Sequence, residues 1–335
     1  MTIIKRYNAV AAYHLLLFIF TLVSCANQKA DFIFNRVEHI VVDTIPMQRL
    51  FFPTFMTLAK DVLLVTSYGS GDMLHFYNVP ELTYLYSTSG QGKGPNEFQA
   101  FPMICKTYHL DNKLFLWGYT PLTIKEWEVK NNFLSLNRTY TLNQYEDFNQ
   151  LHIAQDSLFI YKATSGNFSI IKKYNLIENK ETGKIALKMD EHKQPSYSLN
   201  YGYIAVNDSL IVYIYYYRRQ FDIYEISSIN LVKQITGIYK QKPVDLNDFN
   251  SNVQHYANIV AGKKYFYALY LGIPRKDRTV NNDVIEVFDY EGNPIVRYTF
   301  NITPQIFVID ENNKMLYGFS YFYQDYLLRC NLPHL

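Results

Sequence analysis

A run of β-branched and aromatic residues, usually set just after an Asp or Asn, recurs about every fifty residues along the chain. The copies read Asp61-Val-Leu-Leu-Val, Asp111-Asn-Lys-Leu-Phe-Leu, Asp156-Ser-Leu-Phe-Ile, Asp208-Ser-Leu-Ile-Val, Gly262-Lys-Lys-Tyr-Phe-Tyr and Asn312-Asn-Lys-Met-Leu-Tyr. Aligned on Leu63, Leu114, Leu158, Leu210, Tyr265 and Met315, they are spaced by 51, 44, 52, 55 and 50 residues. A strand-bearing unit of this length cannot bury its apolar faces alone and must stack against copies of itself. Six copies predict an all-β, six-bladed β-propeller.

Alternating apolar residues and turn formers divide each repeat into four short antiparallel strands, a to d. In the second repeat these fall near 102–110, 113–120, 123–130 and 133–141, with turns at Asp111-Asn112, Pro121 and Asn131-Asn132. Asn, Asp and Pro each have a backbone reason to turn. No segment sustains a 3.6-residue apolar period, so little helix is expected. The 31 Tyr and 23 Phe suit sheets packed on both faces. Tyrosine stripes such as Tyr213, Tyr215 and Tyr217 therefore read first as packing between blades and second as a sugar platform. The last repeat lacks a fourth strand. The apolar segment Arg36–Asp43 is expected to supply it, closing the ring and covering the edges that invite aggregation.

The N-terminus reads as a targeting segment. Lys5 and Arg6 precede an apolar stretch from Val10 to Val23, shorter than the roughly 20 residues of a comfortable membrane span and laid out as a secretory signal. It ends in Leu22-Val23-Ser24-Cys25, similar to the lipobox of bacterial lipoproteins, in which Cys25 would be acylated and head the mature chain. The division that follows is residues 1–24 signal peptide, 25–31 tether and 32–335 propeller. Several acyl chains anchor firmly, so the expected partner of the N-terminus is a membrane, and the place is the outer membrane of the cell envelope. Ala26-Asn-Gln-Lys29 lacks an acidic run, which favours a periplasm-facing anchor. Without Lys5 and Arg6, 30 basic residues balance 30 acidic ones, and a neutral body argues against nucleic acid as partner. Cys105 and Cys330 remain; buried free thiols are the expected state, with a disulfide between the two as the alternative.

Gly90-Gln-Gly-Lys-Gly-Pro-Asn-Glu-Phe98 resembles the Gly-rich blade connection of TolB-like six-bladed propeller lipoproteins of the Bacteroidetes. Val284-Ile-Glu-Val-Phe-Asp-Tyr-Glu-Gly-Asn-Pro-Ile295 resembles a late-blade strand–turn–strand of the same family. The resemblance spans essentially the whole mature chain. It implies fold and export and transfers no catalytic residue.

The glycines of 90–94 fit neither a P-loop nor a dinucleotide fingerprint, since both need a following helix. The segment reads instead as a crossing with Phe98 anchored between sheets, and Glu146-Asp-Phe148 and Asn247-Asp-Phe249 read as degenerate copies. No His-x-Glu, His-x₃-His, Cys-x-x-Cys or Gly-x-Ser-x-Gly pattern points to metal or nucleophilic catalysis. No cofactor is expected. The alternative is a Ca²⁺-dependent hydrolase or lactonase with dispersed Glu, Asn and Asp ligands at the channel axis.

In a propeller the b–c loops and d–a crossings share one face. The longest b–c insertion, Gly272–Asn282, carries Arg275, Lys276 and Arg278, and the preceding blade offers Arg218 and Arg219. Together with Tyr119 and Tyr321, these form a candidate rim for anionic groups, because Arg recognises planar anions through a fork of donors; the alternative is a merely solvated charge run. On the opposite face, Ser157, Ser209 and Thr44 sit in Asp-Ser/Thr-apolar triplets that resemble the O-glycosylation sequon of exported Bacteroidetes proteins and also serve as turn formers. The expected function is a non-enzymatic binding or scaffolding module for a glycan, peptide or envelope protein.

Overall fold

The computed structural model describes residues 32–335 except 49–51, 69–70, 89–91, 95–96, 108–111, 120–121, 131–132, 143–147, 156, 166–167, 188–199, 238–243, 246 and 280–282. The signal segment, Cys25 and the tether, with Gly90, Pro121, Asn131-Asn132 and Glu146-Asp147, lie outside the described residues.

Two short strands come first, β1 (Val37–Ile40) and β2 (Asp43–Pro46). Blade one is β3 (Pro53–Ala59), β4 (Val62–Ser67), β5 (Leu74–Asn78) and β6 (Thr83–Thr88). Blade two is β7 (Met103–Cys105), β8 (Lys113–Tyr119), β9 (Leu122–Lys130) and β10 (Phe133–Thr141). Blade three is β11 (Phe148–Ala154), β12 (Leu158–Ser165), β13 (Phe168–Asn175) and β14 (Lys180–Ala186). Blade four is β15 (Gly202–Val206), β16 (Leu210–Tyr215), β17 (Gln220–Glu225) and β18 (Leu231–Thr236). Blade five is β19 (Val253–Ala261), β20 (Tyr265–Pro274), β21 (Val284–Asp289) and β22 (Pro294–Phe300); blade six is β23 (Ile306–Asp310), β24 (Met315–Ser320) and β25 (Tyr323–Asn331). Within each blade, successive strands pair antiparallel. The only helical turns among the described residues are two three-residue 3₁₀ segments.

Ring closure differs in detail from the sequence expectation. The segment Arg36–Asp43 does not continue as one strand of blade six. Its β1 part lies parallel to β22 as a fifth strand of blade five, with Val37 opposite Arg297 and Ile40 opposite Phe300. The chain then crosses the junction, where the Val42 amide donates to Asn301 Oδ1 at 2.9 Å. It re-enters as β2, antiparallel to β25, with Asp43 opposite Arg329 and Pro46 opposite Tyr326. The N-terminal segment thus splints the last two blades while also supplying the missing strand.

Burial follows from strand periodicity. Inner strands such as β4 and β16 are buried almost throughout, whereas outer strands such as β10 and β14 alternate, as expected of sheets covered on one face only. Among the described residues the apolar side chains gather into six clusters, one at each blade–blade junction. Cys105 lies in the cluster between blades two and three, and Cys330 in that between blades five and six; both are buried free thiols.

In blades four and six the Asp/Asn cluster at the a–b hairpin is turn chemistry. Asn207 Oδ1 accepts the amides of Ser209 (2.9 Å) and Leu210 (2.8 Å), and Asp310 Oδ1 accepts that of Asn313 (3.0 Å). The Gly-rich crossing is structural where described. Glu97 Oε2 accepts the Gly94 amide at 2.7 Å, and Phe98 is buried between blades one and two beneath Lys125. Gly118 makes room for that ring, since a Cβ there would meet Phe98 Cδ1 at 2.5 Å. The supposed copy at Asn247-Asp-Phe249 behaves differently. Asp248 caps a 3₁₀ turn and Phe249 is exposed, so it anchors nothing.

Candidate functional site

The six a strands, β3, β7, β11, β15, β19 and β23, line the axis, and β23 packs against β3 to close the circle. Their N-terminal halves open toward the face of the d–a crossings and b–c loops. There they surround a cavity of about 420 Å³ with contributions from all six blades. A smaller cavity of about 40 Å³ continues along the axis, and Lys106 lines both. Lys106 therefore stands at the throat between them.

One wall of the mouth is tyrosine. The Tyr201 and Tyr203 hydroxyls lie 3.4 Å apart, and their rings sit 5.4 and 6.3 Å from that of Tyr216. Tyr321, half exposed, completes the wall from the β24–β25 loop. Burial pushes the Tyr216 phenol up to about 12, with Tyr217 adding to the rise while Arg278 and Arg275 pull against it. The charges of two arginines of the blade-five insertion therefore reach Tyr216, which packs on the tyrosine wall.

The throat is built by a link between strands a of blades two and three. The Lys106 amide donates to Leu151 O (2.7 Å), and the Ile153 amide donates to Lys106 O (2.9 Å). This makes Lys106 and His152 partners in a parallel bridge. Residues opposed in a bridge project to the same side of the pleat. The described partner of the Lys106 ammonium is Asn258 Oδ1 at 3.5 Å, a distance at which little hydrogen bonding remains. Burial lowers the Lys106 pKa to about 8 and that of His152 to about 3, the latter helped by the Lys106 charge. His152 Nε2 and Asn149 Oδ1 are buried without a hydrogen-bond partner.

Beside the throat, Lys162 is buried. Its Nζ donates to Gly202 O (2.7 Å) and stands 4.7 Å from the Tyr201 ring centre; burial lowers its pKa to about 7. Gln150 ties β11 to β15 through Gly202 O (2.9 Å) and the Ile204 amide (2.7 Å). The described lining of the cavity holds no Asp or Glu, and no three His, Cys, Asp or Glu side chains cluster among the described residues. This donor set does not fit Ca²⁺, which takes six to eight oxygens, several of them carboxylate.

The residues predicted as a rim separate. Arg275 and Lys276 are exposed on a 3₁₀ turn of the insertion. Arg278 is held by the buried Asp283, which also accepts from Gln305 Nε2 at 3.3 Å. Arg218 lies over Tyr215 at 5.2 Å. Arg219 does not reach a rim at all. It is buried between blades four and five, its Nη1 and Nη2 donating to the two Glu286 carboxylate oxygens at 3.1 and 2.9 Å. Its guanidinium also lies 3.9 Å from the Tyr270 ring centre and 4.7 Å from that of Phe32. Burial opposes the Arg219 charge, and Tyr256 and Glu286 more than offset that, raising its pKa. Tyr119 packs on Trp117 over blade two and does not line the cavity. On the opposite face Thr44 and Ser209 are exposed and Ser157 is partly covered.

Of the residues expected at the rim, Tyr321 lines the cavity; Lys106, His152 and Lys162 were not among those expected from the sequence. The available signal was a Lys closing an apolar strand run, as in Met103-Ile-Cys-Lys106 and Phe159-Ile-Tyr-Lys162.

Comparison with known proteins agrees with this architecture. A candidate exported protein from Bacteroides fragilis superimposes with a TM-score of 0.57 at 10% identity, covering 89% of this chain and 100% of that one. Raptor from Chaetomium thermophilum gives 0.52 at 9% identity, covering 87% of this chain and 28% of that one. At such identities the likeness concerns the fold. No curated protein matches the sequence. The family model described as TolB-like 6-blade propeller-like matches residues 35–312, and with six blades around one axis the chain belongs to that family.

Proposed function

We propose that the protein is an exported, lipid-anchored binding module that holds its ligand at the channel mouth on the b–c/d–a face, without catalysis. The observation carrying this reading is the cavity of about 420 Å³ at the axis, of ligand size, walled by Tyr201, Tyr203 and Tyr321, with the Arg275 charge acting on the neighbouring Tyr216 and Tyr217. Aromatic faces and side-chain amides suit a glycan, with a peptide or envelope protein as other ligands of the same mouth. The lipobox-like Leu22–Cys25 supports an outer-membrane anchor, and the exported relative in structure is consistent with envelope placement. The O-glycosylation reading persists for the exposed Thr44 and Ser209.

The test is a binding screen of the purified chain against glycan and peptide panels, repeated with Tyr321→Ala/Arg275→Ala. Both side chains are at least half exposed or on an exposed turn, so stability should hold while affinity for any captured ligand falls at least about tenfold, in line with the loss of one charge-assisted and one stacking contact. Unchanged affinity in the double variant would place the site elsewhere. Replacement Cys25→Ser should release the protein from the membrane fraction; retention there would refute the anchor.

A further inference from the structure

The throat below the tyrosine wall holds an arrangement that the general binding reading does not use. Lys106 faces the axis with no carboxylate beside it among the described residues, its nearest acceptor being Asn258 Oδ1 at 3.5 Å. That oxygen is already engaged by the Ile259 amide at 2.9 Å, and the Asn258 amide nitrogen donates to Gln305 O at 3.1 Å. A cation removed from bulk water without an anion is costly. The neighbouring acceptors are also idle. His152, 3% exposed, lines the narrow part of the channel and its Nε2 is unpartnered; Asn149 lines the wide part and its Oδ1 is unpartnered. The His152 ring interacts with the Ile204 backbone in the sense that favours its protonated form, a donation from the ring. In the neutral imidazole this leaves the unpartnered Nε2 as a lone-pair acceptor.

One cation and two unfilled acceptors, at the base of an aromatic mouth, define complementary chemistry. A carboxylate flanked by hydroxyls has that complementary chemistry. We propose that the throat is a subsite for an acidic sugar of the uronic-acid class, its carboxylate on Lys106 Nζ and its hydroxyls donating to His152 Nε2 and Asn149 Oδ1. The ring would stack by its C–H face on the tyrosine wall. A peptide C-terminus carries the same carboxylate. It would also bring backbone amides and carbonyls in series, whereas the two idle groups beside Lys106 are acceptors. The cavity of about 420 Å³ accommodates one or two sugar rings. This assignment rests on the channel-mouth reading and specifies its deepest point.

The test is calorimetric titration of the purified full chain with glucuronate, with glucose as the uncharged counterpart and N-acetylglycine as the peptide-terminus counterpart. Lys106→Met removes the charge while keeping length, and Lys106→Gln serves if the Met variant unfolds by circular dichroism. Expected results are binding of glucuronate to the natural chain, about ten- to a hundredfold weaker glucose binding, and a similar loss of glucuronate affinity in the Lys106 variant. The variant should be at least as stable as the natural chain in the absence of ligand, because a half-buried cation without an anion beside it has gone. Equal glucuronate affinity in both proteins, or none in either, overturns the subsite. Preference for N-acetylglycine over glucuronate overturns the sugar assignment. Ligands that bind through Tyr321 yet ignore Lys106 leave the mouth reading standing without the subsite. Lys106-dependent glucuronate binding that Tyr321→Ala/Arg275→Ala does not weaken supports the subsite and removes the wider mouth.

Discussion

Replacing Glu286 with Gln tests what holds blades four and five together. Its carboxylate is fully buried and accepts four hydrogen bonds, two from Arg219, one from Arg297 Nη2 at 2.7 Å and one from Tyr256 Oη at 3.1 Å. Gln keeps the shape, removes the charge and turns an NH₂ group toward donors. Arg219, with 7% side-chain exposure, is then a buried cation without an anion, a situation that destabilises by about 3–5 kcal/mol. Its positions over Tyr270, Phe32 and Tyr256 return about 0.5–2 kcal/mol at most, and these contacts exist before the substitution as well. Arg297 suffers less, being 31% exposed in its side chain and resting on Phe34. The expected loss is therefore about 3–4 kcal/mol.

Urea unfolding measures it. Trp117 and Trp127 both lie in blade two, so coincidence of their fluorescence with far-ultraviolet circular dichroism also tests whether the ring unfolds as one unit. A triple variant separates charge from packing. Arg219→Met/Glu286→Leu/Tyr256→Phe removes the ion pair and the hydroxyl that would be orphaned, and should recover at least half of the loss, since apolar replacement of a buried pair is often near neutral. A Glu286→Gln protein within about 1 kcal/mol of the natural one, or a triple variant no better than the single, would refute this account of the junction.

The pH profile follows from opposing buried groups. His152 and His255 are lowered from 6.5 to about 3, so the unfolded chain takes up protons first and stability should fall below pH 6.5. Lys106 and Lys162 are lowered from 10.5 to about 8 and about 7, so the unfolded chain holds more protons between those values and 10.5, and stability should rise across that window. Buried Tyr and Cys with raised values act in the opposite sense above about pH 9–10, where the unfolded chain loses protons first. Thermal scans from about pH 4 to 11 should thus peak near pH 9, and a peak below about pH 7 contradicts the burial of the two lysines. Gly118→Ala should cost about 1–3 kcal/mol by displacing Phe98. Gly202→Ala should be worse, because its Cβ would meet the Ile214 carbonyl oxygen at 2.0 Å, a backbone atom that cannot swing away; equal urea midpoints for the two variants would argue against this difference. Removing residues 1–47 should destroy cooperative unfolding, while removing 1–31 should not; equal midpoints would show that β2 does not close the ring.

The fold was legible because its cause is repeated. Each a–b turn needs residues that turn and each inner strand after it needs apolar residues on both faces, so the turn formers and the apolar run recur together, with side-chain capture of backbone amides seen at Asn207 and Asp310. The closure was legible only in part. His39-Ile-Val-Val42 reads as one continuous strand, and nothing local marks the crossing at Val41-Val42, which depends on Asn301, 259 residues away. The site was hardest to read, for a geometric reason. Lys106, Asn149, His152 and Asn258 come from three a strands and meet only when the ring closes. Alone, each resembles an ordinary polar residue in an apolar run. Arg218-Arg219 misled in the opposite way. Adjacency in sequence suggested a shared surface, yet neighbouring residues at a strand entrance point to opposite sides, sending Arg219 into the junction with Glu286. In a propeller, side chains contiguous in sequence therefore tend to serve different faces, whereas those that share the axis are about fifty residues apart. A search for function in such a chain is best guided by polar residues that interrupt the same position of successive a strands. By that criterion Lys106 and His152, opposed in one bridge, are the pair whose replacement should separate binding from folding.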